Sequence, residues 1–282
     1  MAAEVRDSQG QYRLKDLGPS EQSLECPYRE LLGALLYVSV TTRPDIAYSV
    51  GCLARFGERH GMIHWISLVR ILKYLAQTQD LGLEFKRRVH QGEVDTSLEA
   101  YSDSDYAGCP NTRRSVSGYA IFLGGNLIAW HSRKQSVVAL SSTDAEYVAC
   151  TTAVTNIIDV RRVIQHVGLT LPGPTLLRVD NQSAIVMIQR RRFEPKLKHI
   201  DVRYHFIKQE IGKSVTVEYV QSQFNLADLF TKALPQRDFV RLRSGLNLVN
   251  VNVQNANYLR MYAVTRKLLS VSDASSQQDE DA

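Results

Sequence analysis

The sequence predicts a mixed α/β protein. Three features carry that expectation: short strand-like runs bunched before one long helix, a Ser-to-Asp start and a Gly stop that frame this helix, and strands alternating with helices after it. The 282 residues, 44% of them apolar, suffice for one large domain or two ordinary ones with a real core. Lys and Arg number 34 against 29 Asp and Glu, and the resulting +5 is a mild bias towards polyanionic partners. Cys26, Cys52, Cys109 and Cys150 lack Cys-x-x-Cys spacing, which speaks against a zinc ribbon or a disulfide scaffold and makes a reducing intracellular setting the expectation. The start has no charged and then apolar leader pattern, and the longest apolar stretch, Leu31 to Val40, is too short to span a bilayer, so no membrane partner is expected.

From Pro27 to about Thr78 the apolar spacing is helical, with Leu31, Leu32, Leu35, Leu36 and Val38 in one segment and Ile63, Ile66, Val69, Leu72 and Leu75 in another. Thr42-Arg43-Pro44-Asp45 separates them, because the residue before Pro avoids the helical region while Pro suits a first helical turn. Residues 86–97 are polar and aperiodic. The expected organisation is a helical segment over 1–95, an α/β domain over 96–245 and an extension over 246–282. The end of that extension, VSDASSQQDEDA, is too polar to repay its ordering entropy.

Strands are expected at Leu98 to Ser102, Gly118 to Leu123, Leu127 to Trp130 and Ser136 to Leu140, with Gly124-Gly125-Asn126 as a hairpin turn. The long helix should run from about Thr143 to Val167, opened by Ser141 and Asp144 at capping-box spacing and closed by Gly168. Leu176 to Val179 reads as a strand followed by a helix near Asn181, and Ser214 to Val220 as a strand followed by a capped helix starting at Asn225.

Positions 146, 150, 153, 157, 160, 164 and 167 form one helical stripe, occupied by Glu, Cys, Ala, Ile, Val, Ile and Val. Glu146 is therefore directed inward, where a carboxylate costs several kcal/mol unless paired or metal-bound; the bland alternative is a frayed first turn that lets it reach solvent. Asp180 follows an apolar strand and precedes a helix, which suits either a ligand at a strand end or a turn residue. Asp103 ends a strand with Asp105 beside it, and Asp228 stands three residues after Asn225, where an acid often only satisfies a helix end. Together the four carboxylates suggest a divalent-metal site, because hard Mg²⁺ takes oxygen ligands and a charge of −4 matches two such ions. The implied chemistry is two-metal phosphoryl transfer.

AYSDSDYAG, RRSVSGY, LSSTDAEY, VDNQSAI, KHIDVRYHFI and NLADLFTK stand in the order seen in the RNase H domain of copia-type LTR retrotransposon polyproteins, which residues 98–240 resemble. YRELLGALLYVSVTTRPDIAYSV and RILKYL look like the segment joining reverse transcriptase to that domain. The resemblance implies an RNase H-like mixed five-stranded sheet flanked by helices and preceded by a small helical connection. It also implies metal-dependent cleavage of the RNA strand of RNA/DNA hybrids, with two Mg²⁺ ions for which Mn²⁺ can substitute. Asp103, Glu146, Asp180 and Asp228 match the family's metal ligands, and Asp105 is the less favoured neighbour.

Residues 187–213 carry eight Lys and Arg against Glu194, Asp201 and Glu210, an excess equal to the whole net charge. This is either a solvated face or a phosphate-contacting surface; by the resemblance, Lys196, Lys198, Arg203 and Lys208 would hold the hybrid's phosphates and His199 would lie beside them. His199 has two open roles, proton transfer or orienting its loop. The implied partners are the hybrid and the rest of the reverse transcriptase, and the implied location is a cytoplasmic virus-like particle or the nucleus.

Two departures from the pattern stand out. No Asp-Asp dipeptide occurs, so the polymerase metal site of the family is missing, and the family's Trp-Leu-Arg in the long helix is Asp159-Val160-Arg161. A truncated element that keeps the fold but binds nucleic acid silently is thus the alternative reading; a transposase or integrase on the same fold is disfavoured by Asp228.

Overall fold

The computed structural model describes residues 4–6, 12–16, 24–90, 93–189 and 201–251. The first layer is helical: α1 (Tyr28–Thr41), α2 (Ala47–Leu53) and α3 (Met62–Gln77). A 3₁₀ turn at Pro44–Ile46 follows the expected break, with Pro at its first position. Tyr28, Leu31, Leu35, Val50 and Leu68 close a core among these helices.

The central sheet has five strands: β1 (Leu98–Asp105), β2 (Val116–Leu123), β3 (Asn126–Lys134), β4 (Thr175–Val179) and β5 (Val215–Tyr219). Their spatial order is β5-β4-β1-β2-β3. The first three form an antiparallel meander, whereas β4 runs parallel to β1 and β5 parallel to β4. Gly124 and Gly125 make the β2–β3 turn with φ of 52° and 74°, a left-handed pair that glycine adopts without a Cβ penalty.

β2 is covered on both faces, and its alternation divides two cores. Tyr119 and Ile121 face Cys150, Ala153 and Ile157 of α4 (Ser142–His166), while Ala120 and Phe122 face Leu229, Phe230 and Leu242. α5 (Gln182–Gln189) and α6 (Asp201–Glu210) follow β4, and α7 (Gln236–Gly245) closes the second face. The helical layer is tied to the sheet where Trp130 Nε1 donates to Ser39 O at 2.8 Å, and where Leu248–Asn250 pairs antiparallel with Leu81–Leu83.

Two local expectations are corrected. Ser136 to Leu140 is not a strand but a bend, because Gln135 is spent on the β2 edge and the start of α4: its N–H donates to Ser115 O, and its Nε2 to Ser117 Oγ and Ala145 O. Asn225 opens a five-residue 3₁₀ helix, Leu226–Phe230, rather than an α-helix. The long helix keeps its predicted frame, with Ser141 Oγ accepting from Asp144 N and Gly168 left-handed at its end, although Val167 at the foot of the stripe is exposed.

Candidate active site

The parallel pairing of β1 and β4 sets the site. Ser102 lies opposite Val179, so Asp103, still within β1, and Asp180, the first residue past β4, stand side by side at the same end of the sheet. On the other side of β1, Asp103 pairs with Gly118 of β2, which has no side chain to separate the sheet from the 3₁₀ helix carrying Asp228. A Cβ on Gly118 would stand 2.7 Å from Phe230 Cβ and 2.8 Å from Thr231 Cγ2. Asn225 adds a staple: its Oδ1 accepts from Ala227 N at 3.2 Å while its Nδ2 donates to Ser102 O at 3.0 Å.

These constraints bring carboxylate oxygens of Asp103, Asp180 and Asp228 within 4.8 Å of one another. Asp103 and Asp228 are buried and Asp180 is half-buried. Glu146 completes the wall from the second turn of α4. It is 5% exposed, so the stripe holds it inward rather than letting it escape to solvent. Its Oε1 accepts from Ser104 N at 3.2 Å, and its Oε2 is buried with no hydrogen-bond partner. Asp105, half-buried farther along β1, falls outside the three-carboxylate cluster.

The electrostatics follow from packing acids together out of water. Burial raises the carboxyl of Glu146 well above its ordinary range, and the charges of Asp103 and Asp180 push it further. Asp103 is raised chiefly by burial, with Lys232 and Thr231 pulling the other way. Asp228 is pushed up to about 8 by burial and by Asp103. Oxygen donors in this number and charge, one of them orphaned, fit a hard divalent cation.

Thr231 and Lys232 belong to the site although sequence reasoning passed over them. Thr231 Oγ1 donates to Asp103 Oδ2, and Lys232 Nζ approaches Asp228 Oδ1 at 2.9 Å. The available signal was the i,i+4 spacing of Asp228 and Lys232 inside NLADLFTK. Of the basic stretch, Lys196, Lys198 and His199 lie outside the described residues. Arg203 is on α6, and Lys208 on the same helix is half-buried.

The strand order, the parallel β1–β4 pair and the long helix packed on the sheet make this an RNase H-like α/β protein with an acidic cluster at the edge of its central strands. No protein-family model matches the chain. It is 38% identical over 214 residues to the retrovirus-related Pol polyprotein from transposon TNT 1-94 of Nicotiana tabacum, covering 76% of this chain and 16% of that relative. It is 33% identical over 235 residues to the Pol polyprotein from transposon RE2 of Arabidopsis thaliana, covering 83% of this chain and 16% of the relative. The chain belongs to the retrovirus-related Pol polyproteins of copia-type transposons, and it spans about a sixth of their length. Among solved structures it is similar to LC11-RNase H1 in complex with RNA/DNA hybrid, with a TM-score of 0.37 and 18% identity over 48% of this chain and 94% of that one.

Proposed function

We propose that this chain is the RNase H of a copia-type element, cutting the RNA strand of RNA/DNA hybrids with two Mg²⁺ ions, or Mn²⁺ in their place, held by Asp103, Glu146, Asp180 and Asp228. The observation that carries the reading is the convergence of three carboxylates within 4.8 Å, faced by a buried Glu146 with an orphaned oxygen. Divalent ions there would supply activation of a water and stabilisation of the leaving oxygen in an in-line displacement. The chain's own residues hold the geometry. Thr231 fixes one oxygen of Asp103, Ser104 N–H fixes one oxygen of Glu146, and Lys232 balances the negative charge.

The substrate would be read by backbone and shape, with the 2′-OH marking the RNA strand. Lys196, Lys198, His199, Arg203 and Lys208 would hold phosphates, the rest of the reverse transcriptase would present the hybrid, and a virus-like particle or the nucleus would be the setting. A second reading, a silent hybrid-binding remnant, is favoured by one observation: the Lys232 ammonium sits against both Asp228 and Asp103 and offsets part of their charge. Asp180→Asn separates the two. Retained hybrid binding with lost cleavage supports the enzyme, whereas an unaltered chain that binds hybrid and never cuts it leaves the remnant.

A further inference from the structure

A polar chain, buried at Arg43 and Asp45 and part-buried at Tyr74 and Arg243, ties the helical layer to α7, which packs on the 3₁₀ helix bearing Asp228. Arg43, on the N-terminal side of Pro44, donates from Nε to Asp45 Oδ1 at 2.9 Å and from Nη2 to Asp45 Oδ2 at 2.8 Å. The same guanidinium donates to Thr78 O at 2.9 Å and to Thr78 Oγ1 at 2.8 Å, which locks the end of α3 against the start of α2. Both side chains are out of water, Arg43 at 6% and Asp45 at 0% exposure. A buried pair of this kind adds little net stability over apolar packing, but it fixes one geometry because any other leaves charges unpaired.

From Asp45 the chain continues outwards. Tyr74 Oη donates to Asp45 Oδ2 at 2.5 Å and accepts from Arg243 Nη1 at 2.9 Å. Arg243 stands on α7, whose last residue, Gly245, abuts Leu226, the first residue of the 3₁₀ helix that bears Asp228. A Cβ on Gly245 would lie 2.6 Å from Leu226 Cδ2. Apolar packing crosses the same junction, for Phe239 of α7 meets the Tyr74 ring edge-on with ring centres 5.9 Å apart.

We infer that Tyr74 and Arg243 are positioning residues for Asp228, through which the helical layer sets the geometry of the carboxylate cluster. Removing their hydrogen bond frees α7 to shift, and the 3₁₀ helix it supports carries Asp228 with it. The inference rests on the metal-site reading for its effect on ion binding, but its structural half stands without any ion. Two measurements on the full chain test it. Hydrogen exchange in the metal-free chain should accelerate over residues 225–232 in Tyr74→Phe and in Arg243→Met, with the β2 amides unchanged, and Arg243→Lys should restore protection. The Mn²⁺ dissociation constant, read by electron paramagnetic resonance, should rise roughly tenfold in the same two variants, the lower end of what loss of an outer support costs a metal site. Unchanged exchange at 225–232 overturns the inference. Accelerated exchange with an unchanged Mn²⁺ constant also overturns it, because the shift would then not reach Asp228. An unaltered chain that binds no Mn²⁺ overturns the metal-site reading and the ion-binding half with it, while exchange alone still decides the structural half.

Discussion

Lys232 Nζ lies 2.9 Å from Asp228 Oδ1 and 3.8 Å from Asp103 Oδ2, so one ammonium spans two of the clustered carboxylates. Burial pulls its pKa down, but Asp103 and Asp228 more than reverse this, and it stays charged. The ammonium is a fixed counter-charge that lets the fold hold its acids before a divalent ion arrives. Lys232→Met should cost the metal-free chain roughly 2 kcal/mol, since a buried partner is removed from an ion pair that is only partly open to solvent. The stabilisation conferred by Mg²⁺ should grow by a similar amount. Thermal melts with and without Mg²⁺ check both, and an unchanged metal-free melting temperature contradicts the role.

Stability of the metal-free chain should depend on pH in a definite direction. Asp228 moves from 3.8 to about 8 on folding, and Glu146 and Asp103 move upwards as well. A carboxyl raised in the folded state stabilises the fold below its unfolded value and loses that contribution as pH rises through the folded value. Melting in chelator should therefore fall between about pH 4 and about pH 8, and saturating Mg²⁺ should flatten the fall. A flat profile in chelator contradicts the assignment.

Glu146→Gln removes a carboxyl whose ionisation burial opposes, while leaving an oxygen to accept from Ser104 N. The amide spares the fold the cost of taking up a proton on burial, so at neutral pH the metal-free variant should be more stable by about 1 kcal/mol. Cleavage should be lost. Lower stability in denaturant titration, or retained cleavage, counts against a ligand role.

Gly118→Ala tests the close approach of β2 to the helix of Asp228. The added Cβ meets Phe230 and Thr231 below 3 Å, with no flexible chain end to give way. The variant should lose about 1–3 kcal/mol by overpacking and bind Mn²⁺ more weakly. Wild-type stability and affinity would show that the junction has slack.

The basic stretch carries a separate expectation. Arg203→Ala and Lys208→Ala should each lower the slope of hybrid affinity against salt by about 1, without altering preference among hybrid sequences. Unchanged slopes place those residues on a solvated face.

Much of this arrangement was legible in the sequence, for reasons that also mark where legibility ends. The long helix announced itself because Ser141 and Gly168 are local signals and the stripe through Glu146, Cys150, Ala153 and Ile157 is long enough to fix a face. Ser136 to Leu140 misled because its continuous apolar run resembles a short buried strand, while what bends it is Gln135 reaching Ala145, ten residues on. Arg43 and Asp45 were visible only as flanks of a helix-breaking Pro. Their pairing with Tyr74 and Arg243 depends on tertiary packing that no local pattern encodes. Thr231 and Lys232 were hidden in the same way, since their meaning depends on the Asp103 that faces them from another element.

The most direct test is cleavage of an end-labelled RNA/DNA hybrid by the purified chain in Mg²⁺, beside double-stranded DNA, EDTA, and the Asp103→Asn and Glu146→Gln variants. The account predicts cutting of the RNA strand alone, abolished by EDTA and by either substitution. A folded chain that binds the hybrid but leaves it intact, or cutting that survives both substitutions, contradicts it.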